Sequence, residues 1–238
     1  MLDRESPRAR PPGPAKGYQR WESLLFLHWQ VPVEVMRGLV PSELELDLYE
    51  GQAYIGLVPF AMKNVRPRWS PRSLAFQFLE TNVRTYVHHQ GQPGVYFLSL
   101  EAASRIAVWI ARAFWGLPYF HARMSMKRQG TSTLYSTVRD RTQARLEVEY
   151  RIGEPLGPSL PDSTEFFFLE RYLLFLERGS RIYSGQVYHT PYPAHRAEVI
   201  RMEENLLATA GVPVAGPPVL AHYSPGVDVE VFALRPCR

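Results

Sequence analysis

Apolar residues recur at every second position through most of this chain, the spacing of a half-buried strand rather than of a helix. Residues 21–29, WESLLFLHW, are apolar on both alternating faces, as in a strand covered on each side. A short helix is predicted between the prolines of VPVEVMRGLVP, residues 31–41, and two strands at 44–49 and 52–63 follow, joined by Tyr49-Glu50-Gly51. The clearest hairpin pairs 79–88 with 95–101 across Gln90-Gly91-Gln92-Pro93-Gly94. Residues 102–115 switch to helical spacing, with Ala103, Ile106, Ala107, Ile110 and Phe114 on one face and Gly116 as the terminating glycine. Strands are predicted at 119–127, 132–139 and 145–151, with Gly130 in the first turn. After a Gly/Pro-rich loop at 153–163, STEFFFLERY reads as a short helix capped by Ser163 or as an extended run, the helix being favoured. A hairpin at 172–177 and 181–189 turns at Arg178-Gly179-Ser180, a helix spans 194–210 up to Gly211, and Ser224-Pro225-Gly226 turns into a last strand, VDVEVFAL. This order is mostly hairpins. It predicts an α+β domain with a curved antiparallel sheet, closed or nearly closed, and not a doubly wound βαβ fold.

Composition narrows the picture. With 238 residues, 45% hydrophobic and 13% aromatic, the chain carries enough apolar material for a sizeable core. Residues 1–17 contain Pro-Pro-Gly-Pro and no periodicity, and are expected to form a flexible arm ahead of a single domain at 18–238. Of the formal charge of +4, residues 1–20 hold five basic side chains (Arg4, Arg8, Arg10, Lys16, Arg20) against two acidic ones (Asp3, Glu5). The remainder is close to neutral, so no nucleic-acid partner is expected. No apolar stretch approaches membrane-spanning length, no signal peptide is visible, and one cysteine, Cys237, excludes an internal disulfide; a reducing cytoplasm is the expected location.

Candidate chemistry lies on two strips. In the 79–88 strand, Glu80, Asn82, Arg84, Tyr86 and His88 share one face, and Val83, Thr85 and Val87 the other. Arg84 suits a carboxylate clamp and Glu80 proton transfer; an ordinary solvent-facing strand with cross-strand ion pairs has the same pattern. In the 119–127 strand, Tyr119, His121, Arg123, Ser125 and Lys127 share a face. Two polar strips flanking one helix suggest a common cavity, with Glu80 as the proton-transfer candidate and Arg84, Tyr86, Arg123 and His121 as ligand contacts. Glu170 and Arg171, beside three phenylalanines, read as a buried ion pair, and His28 as a hydrogen-bonded core histidine. The histidines lack the spacing of a metal triad and phosphate-cradling or nucleophile-elbow motifs are absent, so neither metal nor cofactor is expected. Cys237, near the terminus, is a poor nucleophile. Imine chemistry inside the fold would require Lys63 or Lys127.

Six strings, WESLLFLHWQVP, YIGLVPFAMKNVRPR, ETNVRTYV, GVYFLSLEAASRIAV, ERYLLF and HYSPGVDVEVF, together resemble the YqjF-like family, a bacterial family of unassigned function, over roughly residues 18–234. That family is similar in fold to acetoacetate decarboxylase. The resemblance implies a cone-shaped antiparallel β-barrel with flanking helices, an interior cavity for a small anionic or carbonyl ligand, and homo-oligomerisation. It also places Glu80 near the family's active-site glutamate. In acetoacetate decarboxylase the helix ends in Trp-Gly-Phe-Pro-Lys-Lys, whose first lysine forms the imine and whose second depresses its pKa. The matching segment here is Trp115-Gly116-Leu117-Pro118-Tyr119-Phe120, so the resemblance puts Tyr119 and Phe120 at the two lysine positions. A phenol forms no imine, so the resemblance leaves Tyr119 as a catalytic candidate of another kind, a hydrogen-bond donor or general acid beside Glu80. Three readings follow: a lysine-independent enzyme acting on a small carboxylic or carbonyl compound, a non-catalytic ligand binder or sensor, and a structural protein whose cavity is filled, with Phe166, Phe167 and Phe168 as plugs or an oligomer contact.

Overall fold

The computed structural model describes residues 2–237, apart from the side chain of Phe114, whose place on the apolar helix face lies outside the described residues. The strands are β1 (Gly17–Val31), β2 (Glu45–Leu46), β3 (Ala53–Pro67), β4 (Phe76–His89), β5 (Gln92–Ala102), β6 (Tyr119–Gln129), β7 (Ser132–Arg139), β8 (Arg145–Gly157), β9 (Leu173–Arg178), β10 (Arg181–Tyr188), β11 (Ala194–Glu204), β12 (Leu220–Val231) and β13 (Arg235–Pro236). The helices are α1 (Val33–Arg37), α2 (Arg105–Ile110), α3 (Thr164–Leu169) and α4 (Leu206–Thr209), and a π-helical turn, Ala111–Trp115, prolongs α2. No helix among the described residues is long and apolar enough to cross a membrane.

All strands belong to one sheet, in the order β13-β10-β9-β5-β6-β7-β8-β11-β12-β1-β3-β4-β2. Two further pairings, β5 with β4 and β10 with β12, return the sheet onto itself. Neighbours are antiparallel except where β5 runs parallel to β6 and β9.

Strands β1, β3 and β4 are buried on both faces, which explains why their sequences are apolar at consecutive positions. Their odd-numbered residues, including Leu25, Leu27, Ile55, Leu57, Val83 and Val87, pack into one core with Tyr135, Leu146, Val148 and α4. Even-numbered Leu24, Phe26, Tyr54, Val58, Phe60 and Met62 face a second core with Phe167 and Phe168. The candidate site lies on this second side.

Two predicted elements are corrected. The helix expected at 194–210 is strand β11 followed by the single turn α4. Its Ala, Glu, Arg and Met residues are good helix formers, but such propensities are small and yield to tertiary pairing. The edge of β8 prevails, pairing with β11 along most of its length and adding Arg201–Glu147 and Arg151–Glu198 contacts at 2.9 and 3.1 Å. The turn expected at Ser224-Pro225-Gly226 lies inside β12, in unbroken register with Glu22 and Leu24 of β1, where the intervening Ser23 has φ 54°. Gly226 has φ 133°, and a Cβ there would stand 2.1 Å from the Trp21 carbonyl oxygen. Here glycine marks close backbone approach rather than a reversal.

Residues 2–16 run along this body. Asp3 N donates to the Gly91 carbonyl at 2.9 Å, Arg10 pairs with Glu230 at 2.7 Å and Lys16 N donates to the Val231 carbonyl at 2.7 Å.

Candidate functional site

Alternation along β4 sorts its residues between two buried environments. Thr81, Val83, Thr85 and Val87 face the first core, where the Thr81 hydroxyl hydrogen-bonds with those of Thr137 at 2.9 Å and Tyr135 at 3.2 Å. Phe76, Phe78, Glu80, Asn82 and Arg84 face the other way and line a cavity of about 250 Å³. Its walls come from β1 (Trp21, Leu24), β3 (Val58, Phe60, Met62), β5 (Val95, Phe97, Leu100), the α2 helix with its π turn, and the loop residue Tyr192. The strip on β4 is therefore interior and not a solvent-facing surface: Glu80 is 3% exposed and Arg84 8%.

Tyr119 reaches the cavity through the join that follows α2. Gly116, at φ 68°, takes the left-handed conformation that ends the helix without strain. The Pro118 carbonyl then accepts from Leu100 N at 3.0 Å, and Arg112 Nε donates to the Tyr119 carbonyl at 2.6 Å. These bonds set the first residue of β6 beside β5. The Tyr119 hydroxyl donates to Glu80 Oε2 at 2.8 Å. Burial, with a smaller contribution from nearby Glu101, pushes the Glu80 pKa up to about 8 against the opposing hydrogen bond from Tyr119. Burial and the Glu80 carboxyl hold the Tyr119 hydroxyl well above its ordinary value. At neutral pH the pair is a carboxylic acid and a phenol, both proton donors in a largely apolar chamber.

Arg84 supplies the charge. Its guanidinium donates to the Phe168 carbonyl at 3.1 Å and stacks over Phe26 and Tyr86 at 5.4 and 5.7 Å. Its Nε is buried with no hydrogen-bond partner, and among the described residues no carboxylate lies within ion-pairing distance. Asn82 Oδ1, one pleat away on the same face, is also buried without a partner. Arg171 lines the same cavity but is neutralised: its Nη1 meets Asp47 Oδ2 at 2.5 Å and its Nε donates to the Phe167 carbonyl at 2.6 Å. A buried, hydrogen-bonding cation without a counterion is costly unless an anion joins it, so Arg84 is the anion-binding candidate.

The other expected contacts lie elsewhere. Tyr86 is buried, but its hydroxyl bonds with His28 Nε2 at 2.7 Å and it does not line the cavity. His28 is a core histidine, held well below its usual pKa by burial. His121 bonds with Asp140 at 2.7 Å outside the cavity, and Arg123 is exposed. Only the start of β6 lies against β5; beyond His121 the strand pairs with β7, and its polar strip faces away from the chamber. Glu170 and Arg171 do not pair with each other. Glu170 accepts from the Tyr172 hydroxyl at 2.5 Å and from Tyr192 N at 3.1 Å, while Arg171 turns to Asp47. Phe120 packs under the Arg139 guanidinium, 4.0 Å from its ring centre, and Arg139 pairs with buried Glu101. Neither lysine lines the cavity: Lys63 pairs with Glu22 at 2.5 Å, and Lys127 is exposed. Among the described residues no cluster of three or more His, Cys, Asp or Glu stands ready to hold a metal. From sequence alone Asn82 belongs to the β4 strip without standing out as a site residue, and Arg171 reads only as an ion-pair partner. Its place on the β4 strip marked Asn82, whereas nothing local shows that Asp47 meets Arg171 from 124 residues away.

Residues 18–228 match the DUF2071 family, described as an uncharacterized conserved protein. The chain is 38% identical over 220 residues to the uncharacterized protein YqjF of Bacillus subtilis (strain 168), covering 91% of this chain and 90% of that protein. Among solved structures, acetoacetate decarboxylase from Legionella pneumophila aligns with a TM-score of 0.63 at 13% identity, over 98% of this chain and 92% of that one. The enduracididine biosynthesis enzyme MppR, complexed with pyruvate, aligns with a TM-score of 0.63 at 12% identity over 98% and 93%. At these identities the likeness is one of fold: a mostly β protein with few helices, similar to acetoacetate decarboxylase.

Proposed function

The chain belongs to the DUF2071 family, and from that premise we propose that it binds a small carboxylic or carbonyl compound inside a cone-shaped barrel, without imine chemistry. One observation carries this reading: the Tyr119–Glu80 hydrogen bond of 2.8 Å shares a single cavity with Arg84, a buried guanidinium that has no counterion among the described residues. The pairings that return β4 to β5 and β12 to β10 support the barrel. Arg84 anchors the anionic group, two-pronged where geometry allows. Asn82 Oδ1 accepts from a hydroxyl or a protonated carboxyl. An oxygen placed against Glu80 meets a neutral acid, which stabilises charge developing there and supplies a proton; Tyr119 holds Glu80 in position. That MppR has been complexed with pyruvate supports a keto acid or related carboxylate as the ligand type. Turnover of a bound acid would make the protein a lysine-independent enzyme, and binding alone a sensor or carrier.

Melting measurements against a panel of carboxylic and keto acids test the anchor. A ligand at 100 times its Kd stabilises by about 2.7 kcal/mol, which raises Tm by roughly 5–11 °C for a chain of this size. The wild type should gain this shift with some acids and Arg84→Met with none. Equal shifts in both proteins, or none in either, would remove Arg84 from the site.

A second measurement addresses the lysines. Borohydride reduction in the presence of pyruvate should leave the mass of the protein unchanged, because Lys63 and Lys127 both stand outside the cavity. A stoichiometric adduct on either lysine would overturn the imine-free reading.

A further inference from the structure

The cavity has a direction. Inward-facing residues of β4 fall on one line, spaced about 6.7 Å per pleat pair. They run from Phe76, 44% exposed, through half-buried Phe78 to the buried Glu80, Asn82 and Arg84. The outer end is apolar and open, and the inner end is polar and closed. Across from the outer end, Ile106 and Ile110 of α2 also line the cavity, yet they are 57% and 38% exposed. Every charged residue lining the chamber, Glu80, Arg84 and Arg171, is buried, and the exposed lining residues Phe76, Ile106 and Ile110 are all apolar. Exposed aliphatic and aromatic side chains that continue an interior apolar wall mark a surface meant to be covered. A volume of about 250 Å³ leaves room for at least about eight groups the size of a water molecule, more than a three-carbon acid fills.

We propose that the ligand is an amphiphilic monocarboxylate, with its head at Arg84 and Asn82 and an aryl or medium-length alkyl tail that passes Glu80 and lies against Phe78, pointing toward the apolar mouth formed by Phe76, Ile106 and Ile110. The inference rests on the reading of Arg84 as an anion anchor and adds the chemistry of the other end. A second carboxylate at the tail would lose part of its hydration against phenylalanine and isoleucine, and both cations that line the cavity, Arg84 and Arg171, lie at the inner end. Each methylene laid along the wall adds about 0.8 kcal/mol, or about four-fold in affinity.

Calorimetric titration with butanoate, hexanoate, octanoate and phenylpropanoate, each below its micellar concentration, tests this, with pyruvate, octanol and octanedioate as controls. Affinity should rise about four-fold per methylene from butanoate to octanoate. Octanol should bind about ten-fold more weakly than octanoate, and octanedioate several-fold more weakly. The exposed-site variant Ile106→Ser should weaken octanoate several-fold and leave butanoate unchanged, while Arg84→Met should lose all the acids. If pyruvate and butanoate bind the wild type as tightly as octanoate and lose affinity in Arg84→Met, the anion site stands and the amphiphilic ligand is wrong. Octanol binding as tightly as octanoate would overturn the carboxylate head. Binding of no acid at all would overturn both this inference and the reading beneath it.

Discussion

Glu80→Gln should flatten much of the protein's loss of stability between mildly acidic and alkaline pH. In the unfolded chain the carboxyl ionises near 4.5, while in the fold it keeps its proton to about 8. Between those values the unfolded state releases a proton that the folded state retains, so each rise of one pH unit removes about 1.4 kcal/mol of stability. The contribution is fully present below the unfolded pKa and lost as pH rises through the folded one. For a chain of 238 residues the slope amounts to roughly 3–6 °C in Tm per unit. Other groups act at the same time. Glu101 and Glu170, also raised by burial, add the same sign. Buried His28 and His189, held neutral, add the opposite one, their contribution being lost as pH falls below the ordinary histidine value. The difference between the wild-type and variant melting profiles isolates Glu80. It should widen with pH, with Glu80→Gln the more stable protein at pH 9. Parallel profiles from pH 5 to 9 would show that Glu80 titrates normally, and the acid role would fall with them.

Asp47→Asn should be the most destabilising polar substitution in the chain. The Asp47 side chain is fully buried and bridges two guanidiniums, Arg171 at 2.5 Å and Arg4 at 2.6 Å. Burial pushes the carboxyl up, but the two arginines outweigh it and hold it below the usual aspartate range. Asparagine keeps the shape and removes the charge, leaving Arg171 buried beside Phe167 and Tyr86 with nothing to neutralise it. Breaking such a pair from one side costs about 3–5 kcal/mol, or roughly 6–20 °C in Tm here. Arg4→Ala should cost far less, about 1 kcal/mol, because that side chain is partly exposed and Arg171 keeps its aspartate. A calorimetric scan showing Asp47→Asn within 1 kcal/mol of wild type would mean that Arg171 is neutralised in some other way.

Much of this protein was legible in the order of its residues. The period-2 segments located most of the strands, and Ser163 does cap α3, accepting from Phe166 N at 3.1 Å. Gly116 ends the helix run that leads to Tyr119. Such features depend on neighbours within a few positions, where local sterics and hydrogen bonds decide. The 194–210 segment misled because its pattern fits a helix, while the open edge of β8, some 50 residues away in sequence, decided otherwise. The same limit applies to the site. Alternation placed Glu80, Asn82 and Arg84 on one face of a strand, and the likeness of the join after α2 to the decarboxylase lysine segment singled out Tyr119. Whether that face met water or a chamber depended on which strands lie across from it, and only the closing pairings of β4 with β5 and β10 with β12 answer that. His121 and Arg123 share a strip with Tyr119 yet leave the cavity because β6 runs on alongside β7. The sequence by itself determined which residue types could do the chemistry and excluded an imine at Tyr119. The tertiary structure alone decided which of them share a low-dielectric space, because burial and counterions are set by contacts between residues far apart in the chain.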